Sequence, residues 1–200
     1  VGLSGFARTN VLRFPLGKQN RAVSSITQLQ AHAQSLLDKE TFWKKASKEI
    51  KWTRECDEVL TKTKIGESDT DWYSWFKGGQ LNTCYNAIDR HIEEGRGEQI
   101  ALIYESPITN SPARSFTYNQ LLAEVIATAA VLEVNGLGKG DRCLVYMPMV
   151  PEALFVMLAC ARLGAVHSVV FGGFAAPELA KRITDCAPKI IATASCGLEP

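Results

Sequence analysis

The chain has 200 residues, 46% of them hydrophobic and 22% charged, with a formal net charge of +1 and six cysteines. That length holds one domain and an appendage, and the balance is ordinary for a soluble globular protein. Dispersed basic residues and a near-zero charge exclude an electrostatic nucleic-acid footprint, and no apolar run approaches the ~20 residues of a membrane-spanning helix, the longest being Ala153 to Ala161.

Residues 1–24 form an arm. No acidic residue precedes Asp38, while Arg8, Arg13, Lys18 and Arg21 alternate with Ser, Leu, Val and Phe. This is the composition of a mitochondrial targeting segment, which directs the expectation to the matrix. Pro15 and Gly17 oppose one continuous amphipathic helix, and an arm without address value, compatible with a cytoplasmic protein, is the competing reading. The chain starts at Val1 and stops at Pro200 directly after a predicted strand, which predicts a piece of a longer protein.

From Ser25 to about Leu60 apolar residues recur at helical spacing (Ile26, Leu29, Ala33, Leu36, then Trp43, Ala46, Ile50), predicting a helical appendage that extends to residue 83. Thr61 to Asp71 is polar and reads as a linker. Trp72, Trp75 and Phe76 are expected to dock the appendage on the main domain, with a ligand platform as the alternative. A helix is predicted from Asn82 to Glu94, stopped by Gly95 and Gly97, then a strand from Ile100 to Tyr104 and a short strand end at Phe116 to Tyr118. Thr117 and Gln120 have capping-box spacing and open a helix from Tyr118 to Val134. The glycines at 136, 138 and 140 follow a helix and open a strand, the reverse of a phosphate loop, so they are read as a turn.

Residues 141–174, DRCLVYMPMVPEALFVMLACARLGAVHSVVFGGF, form a strand, helix, strand unit. Cys143 to Met147 is the first strand; Pro148 and Pro151 bracket the turn into an almost wholly apolar helix that Gly164 ends. Val166 to Phe171 reads as an interior parallel strand followed by Gly172 and Gly173, and open α/β sheets bind ligands at that end. A helix from Ala176 to Cys186 and a strand from Lys189 to Ala194 complete the pattern, which is α/β.

Several residues invite a chemical role and have a plainer explanation. The cysteines form no CxxC pair, and three lie within apolar helix or strand patterns, so reduced core thiols in a reducing compartment are expected, and no metal site. Cys84 and His91 lie two helical turns, about 10 Å, apart, too far for a nucleophile and base. His167 reads as hydrogen-bonded core and not as a base. Arg162 suits the helix C-terminal end, and Asp89, Arg90 and His91 are expected on a solvated helix face, with pairing to other parts of a longer protein as the alternative.

The stretch YMPMVPEALFVMLACARLGAVHSVVFGGF, with LNTCYNAIDRHIE (81–93), ALIYESP (101–107), FWKKASKEIKW (42–52) and WYSWFKGGQLN (72–82), resembles the AMP-forming short-chain acyl-CoA synthetases over residues 28 to 200. Cys84, the SPITN at 106–110 and the TASCGLEP at 193–200 are similar to the propionate-type mitochondrial branch; acetate preference is the nearest rival. The resemblance implies that residues 84–200 begin the layered αβαβα large domain of adenylate-forming enzymes, after a helical N-terminal extension at 25–83. It implies an enzyme that joins a short-chain carboxylate to ATP with Mg²⁺, giving an acyl-adenylate, and passes the acyl group to coenzyme A. The family's phosphate signature, ribose-binding aspartate and catalytic lysine fall beyond Pro200, so no catalytic residue is expected in this chain, which alone should be inactive and needs the remainder of its own chain as partner. By the same resemblance the coenzyme A nucleotide meets Phe171, Gly172 and Gly173, then Glu199 and Pro200. Glu199 stands where acetate-specific relatives carry arginine, so its backbone is the expected contact. Gly172-Gly173 as a simple exit turn remains the competing reading. A non-catalytic α/β interaction module, or an inactive truncated product, is the alternative of another class; a dinucleotide site is opposed by the lack of GxGxxG after a strand.

Overall fold

The computed structural model describes residues 27–64, 70–107 and 112–197. The arm at 1–24, Glu199 and Pro200 lie outside the described residues.

Two helices open the described chain. Thr27 caps α1 (Gln28–Leu37) with a reciprocal box: its hydroxyl accepts from the Gln30 amide at 3.3 Å, and the Gln30 side chain accepts from the Thr27 amide at 2.9 Å. Asp38 ends α1 and caps α2 (Lys39–Ser47), accepting from the Thr41 amide at 3.0 Å. The expected continuation of helix to Leu60 and the expected linker at 61–71 are both corrected. Strand β1 (Glu58–Lys64) pairs antiparallel with β2 (Asp71–Lys77), in register from Glu58 opposite Lys77 to Lys64 opposite Asp71. The β-branched Val59, Thr61 and Thr63 sit at alternate positions and face aromatic partners across the ladder, which favours strand over helix. The aromatic residues also pack otherwise than expected: Trp75 meets Trp43 of α2 edge-on at 5.7 Å, and Phe76 meets Trp52 at 5.5 Å. They tie the hairpin to its own preceding helix and loop.

The predicted helix at 82–94 is broken into α3 (Thr83–Ala87), α4 (Asp89–His91) and a π-helical turn at Ile92–Arg96. Strands β3 (Ile100–Tyr104) and β4 (Arg114–Thr117) form an antiparallel pair, and α5 (Tyr118–Val134) starts at the predicted capping box, the Thr117 hydroxyl accepting from the Gln120 amide at 3.3 Å.

The three-stranded parallel sheet has β5 (Arg142–Met147) in the middle, β6 (Val166–Phe171) on one side and β7 (Ile190–Thr193) on the other. Between them run α6 (Pro151–Leu163) and α7 (Ala176–Cys186). The chain moves outward to β6 and then back past β5 to β7. Right-handed crossovers in opposite directions put α6 and α7 on opposite faces of the sheet. The main core lies on the α6 face, where Cys143 and Val145 of β5, Phe155, Ala159 and Cys160 of α6, and Val125 and Ala129 of α5 are buried together. Thus β5, not β6, is the interior strand; among the described strands β6 is an edge, with Val166 and Val169 exposed.

Helix boundaries follow local chemistry. Pro151 supplies the pre-set φ of a first turn. At the other end Gly164 adopts φ 72° and the Ala165 amide donates to the Cys160 carbonyl at 2.8 Å, a left-handed cap that a residue with a Cβ enters at a cost. The glycines near 138 do form a turn: Asp141 accepts from the Gly138 amide at 2.8 Å and from Lys189 at 2.9 Å, and this pairing holds its carboxyl below the usual carboxylate range. All six cysteines are free thiols, with Cys84, Cys143 and Cys160 buried. Among the described residues no helix is long and apolar enough to cross a membrane.

Candidate functional site

The strand order reverses at β5, and a crevice opens at the carboxyl ends of β5 and β7, where an α/β sheet offers backbone groups and helix N-termini to a ligand. A cavity of about 340 Å³ lies there, lined by Met147, Pro148, Val150, Glu152, Ala194 and Ser195. Glu152, in the first turn of α6, pairs with Arg114 of β4 at 3.2 Å. The exit of β6 forms the next stretch of this rim. Phe171 is 68% exposed there, an unusual position for a phenylalanine at a strand end.

The glycines that follow have steric reasons of their own. A Cβ on Gly172 would stand 3.0 Å from the carbonyl oxygen of Met147, so the exits of β6 and β5 approach through this residue. A Cβ on Gly173 would stand 2.7 Å from Cε1 of Phe171, so the ring folds back over a surface that any other residue would occupy. Phe171 then meets Phe174 edge-on, with ring centroids 5.9 Å apart. Phe174 is held in turn: its carbonyl accepts from the Tyr146 hydroxyl at 2.8 Å, and the Arg182 guanidinium of α7 lies 5.6 Å from its ring. Phe171, Gly172 and Gly173 are therefore brought together, and both glycines serve a tight exit turn as well as an open ring face. Tyr146, Phe174 and Arg182 escape a reading of sequence. Their contacts depend on α7 folding back over the turn, which no local pattern announces.

The other flagged residues assemble a structural seam. Arg162, at the end of α6, makes bonds of 2.9–3.1 Å to both carboxylate oxygens of Asp89 and lies 3.8 Å from the Cys84 sulfur. Burial pushes the Cys84 thiol up, so it is no poised nucleophile. Asn82 caps α3 by accepting from the Tyr85 amide at 3.0 Å, and its amide nitrogen donates to the Ala161 and Arg162 carbonyls at 3.3 and 3.0 Å. Asn86 exchanges two 2.9 Å bonds with the Lys51 backbone, and Arg90 donates to the Glu49 carbonyl. The solvated face expected for Asp89, Arg90 and His91 is thus corrected: these residues join the N-terminal segment, the broken helix and α6. A cavity of about 500 Å³ lies along this seam beside Lys51, Trp52, Asn82 and Arg162. His91 contacts Arg96 and Tyr118, not Cys84. His167 is half-buried on the edge strand without a side-chain hydrogen bond among the described residues, which corrects its reading as hydrogen-bonded core.

Two family models match end to end along the chain: the acetyl-coenzyme A synthetase N-terminus over residues 29–87 and the AMP-binding enzyme family over residues 89–199. The chain belongs to the AMP-binding enzyme family. It is 48% identical over 187 residues to the mitochondrial acyl-CoA synthetase short-chain family member 3 of Homo sapiens, and equally to that of Pongo abelii, a match covering 92% of this chain and 26% of either relative. With the acetyl-coenzyme A synthetase of Methylorubrum populi it shares 44% identity over 170 residues, covering 85% of this chain and 26% of that protein. The chain therefore spans about a quarter of the length of the curated relatives it matches.

Proposed function

We propose that this chain is the N-terminal part of an AMP-forming short-chain acyl-CoA synthetase, and that its contribution to the reaction is a platform for the nucleotide end of coenzyme A. The carrying observation is the exposed Phe171 ring at the carboxyl end of a parallel strand, laid over the Cβ-free surface of Gly173 beside the switch-point crevice. A flat base stacks on such a face, and the backbone of Glu199 and Pro200 would complete the site by the family resemblance. The residues present suit a purine; binding, not chemistry, is their work. ATP and the divalent cation fall to residues beyond Pro200, together with the transfer chemistry, in the layered αβαβα domain that residues 84–200 begin after the extension at 25–83. Among the described residues no three His, Cys, Asp or Glu side chains converge to hold a metal ion.

Propionate is the favoured acid, on the likeness of Cys84 and the segments at 106–110 and 193–200 to the propionate-type branch; the mitochondrial names of relatives and the acid-free arm before Asp38 favour the matrix. Acetate preference is supported in turn by the match to the acetyl-coenzyme A synthetase N-terminus. Comparing kcat/KM for the two acids in the full-length enzyme decides between them. The test of the platform is Phe171→Ala in that enzyme. Loss of stacking worth ~1–2 kcal/mol raises the KM for coenzyme A about tenfold, while ATP–pyrophosphate exchange, which proceeds before coenzyme A binds, changes little. An unchanged KM for coenzyme A removes Phe171 from the site.

A further inference from the structure

Arg182 stands out among the charges near the Phe171 turn because it is committed to no acid. Lys181 beside it pairs with Glu178 at 2.6 Å, and Lys189 beyond it pairs with Asp141 at 2.9 Å. Arg182 is exposed, its guanidinium rests 5.6 Å from the Phe174 ring, and no carboxylate lies within 4 Å of it among the described residues; Asp185, one turn further along α7, makes no ion pair with it. The ring fixes where the cation stands without consuming its directional donors, since an arginine over an aromatic face keeps its N–H groups in the plane available at the rim. Phe174 also meets Phe171 edge-on, and the Tyr146 hydroxyl anchors its backbone. An exposed aromatic face, an intervening fixed ring and an uncommitted fork of donors thus form one continuous strip along the β6–α7 turn.

Resting on the reading of Phe171 as the base platform, we propose that Arg182 binds the 3′-phosphate of the coenzyme A nucleotide and makes the enzyme select coenzyme A over its 3′-dephospho form. The ligand carries two phosphate groups. The 5′-diphosphate must lead away toward the reacting thiol, whereas the 3′-phosphate stays beside the base wherever that arm runs. A guanidinium held one ring away from the stacking face therefore meets the phosphate that remains. Charge-assisted, bidentate recognition of phosphate is the interaction for which arginine is better shaped than lysine.

The experiment uses the full-length synthetase with coenzyme A and 3′-dephospho-coenzyme A as alternative acceptors. Arg182→Met keeps length and apolar contact with Phe174 but removes the charge. It should lower kcat/KM for coenzyme A about tenfold and for the dephospho form less than about twofold, collapsing the discrimination. Arg182→Lys keeps the charge and should retain part of the discrimination, and ATP–pyrophosphate exchange reports that both variants are folded. Equal losses with the two acceptors would assign Arg182 to bracing Phe174 alone and overturn the proposal, as would no loss with either. Phe171→Ala separates the two ideas: if it raises the KM for coenzyme A while Arg182→Met leaves discrimination intact, the platform stands and the phosphate contact falls. If Phe171→Ala leaves that KM unchanged, the platform itself falls and the Arg182 proposal with it.

Discussion

His91 shows how a histidine can be fixed in one protonation state without taking part in chemistry. Its Nδ1 lies 3.1 Å from Nη1 of Arg96, its ring is stacked 4.9 Å from Tyr118, and Arg96 donates to the Tyr118 hydroxyl at 3.3 Å. A guanidinium only donates, so Nδ1 accepts and the ring is the neutral Nε2–H tautomer. Burial first, then the nearby Arg96 and Arg90, hold its pKa below the usual histidine value, and Glu94 at 3.9 Å opposes them only in part. The sign follows: the folded state favours the neutral ring, so this contribution to stability is fully present above pH ~6.5 and is lost as pH falls from there through the folded-state pKa. The His91 ring resonance should titrate below pH 6.5 in a proton NMR titration. Between pH 7.5 and 5.5, the urea midpoint of the wild type should fall further than that of His91→Gln. Equal falls in the two proteins would show that His91 titrates as it does in the unfolded chain.

At the scale of elements, stability converges on Asn82, whose single side chain serves two helices. Its oxygen caps α3, and its nitrogen satisfies two carbonyls at the end of α6, where Gly164 has already turned the chain away. Asn82→Ala removes a cap worth ~1 kcal/mol and a donor worth a similar amount, so urea unfolding should show a loss of about 2 kcal/mol. Asn82→Asp keeps the cap acceptor but offers the α6 carbonyls no donor and brings negative charge to a helix C-terminus, so it should recover only part of that loss. Such a residue is half legible in sequence: a helix start at Asn82 is readable from the chain, but its reach across 79 and 80 residues to Ala161 and Arg162 is not. The same division runs through the fold. The ends of α5 and α6 are legible because Thr117 with Gln120, Pro151 and Gly164 act within a few residues of themselves. The β1–β2 hairpin is not, because Lys, Thr and Trp alternate without an apolar face, and its strand identity comes from cross-strand pairing and from Trp43 and Trp52. At the candidate site, Phe171, Gly172 and Gly173 are adjacent and could be found; Tyr146, Phe174 and Arg182 meet only through the tertiary path of β5 and α7.

For the molecule as a whole, the distribution of apolar surface is the informative quantity. One core, between α5, α6 and the β5 face that carries Cys143 and Val145, is closed, with Val125, Ala159 and Cys160 fully buried. Elsewhere apolar side chains end in solvent: Val131 and Val134 on α5, Val166, Val169 and Phe171 on β6, and Ile191 on β7. Both outer strands of the parallel sheet leave one edge unpaired among the described strands, and an unpaired edge bearing β-branched residues is a template for another strand. These surfaces occur in a chain that spans about a quarter of its relatives' length, so three quarters of the parent sequence is available to cover them. The 200-residue segment expressed alone should therefore self-associate at micromolar concentration, eluting above its 21.9 kDa monomer mass in light-scattering chromatography and enhancing the fluorescence of a bound apolar dye. Charged substitutions on the outer strand, Val166→Lys with Val169→Lys, should reduce that association without disturbing the closed core, because both side chains already stand in solvent. The full-length protein should show weak dye binding per mole. A segment that runs as a monodisperse monomer with no dye enhancement would instead mean that these strands and helix faces are stable in water as they stand, and the covering role assigned to the remaining chain would be lost.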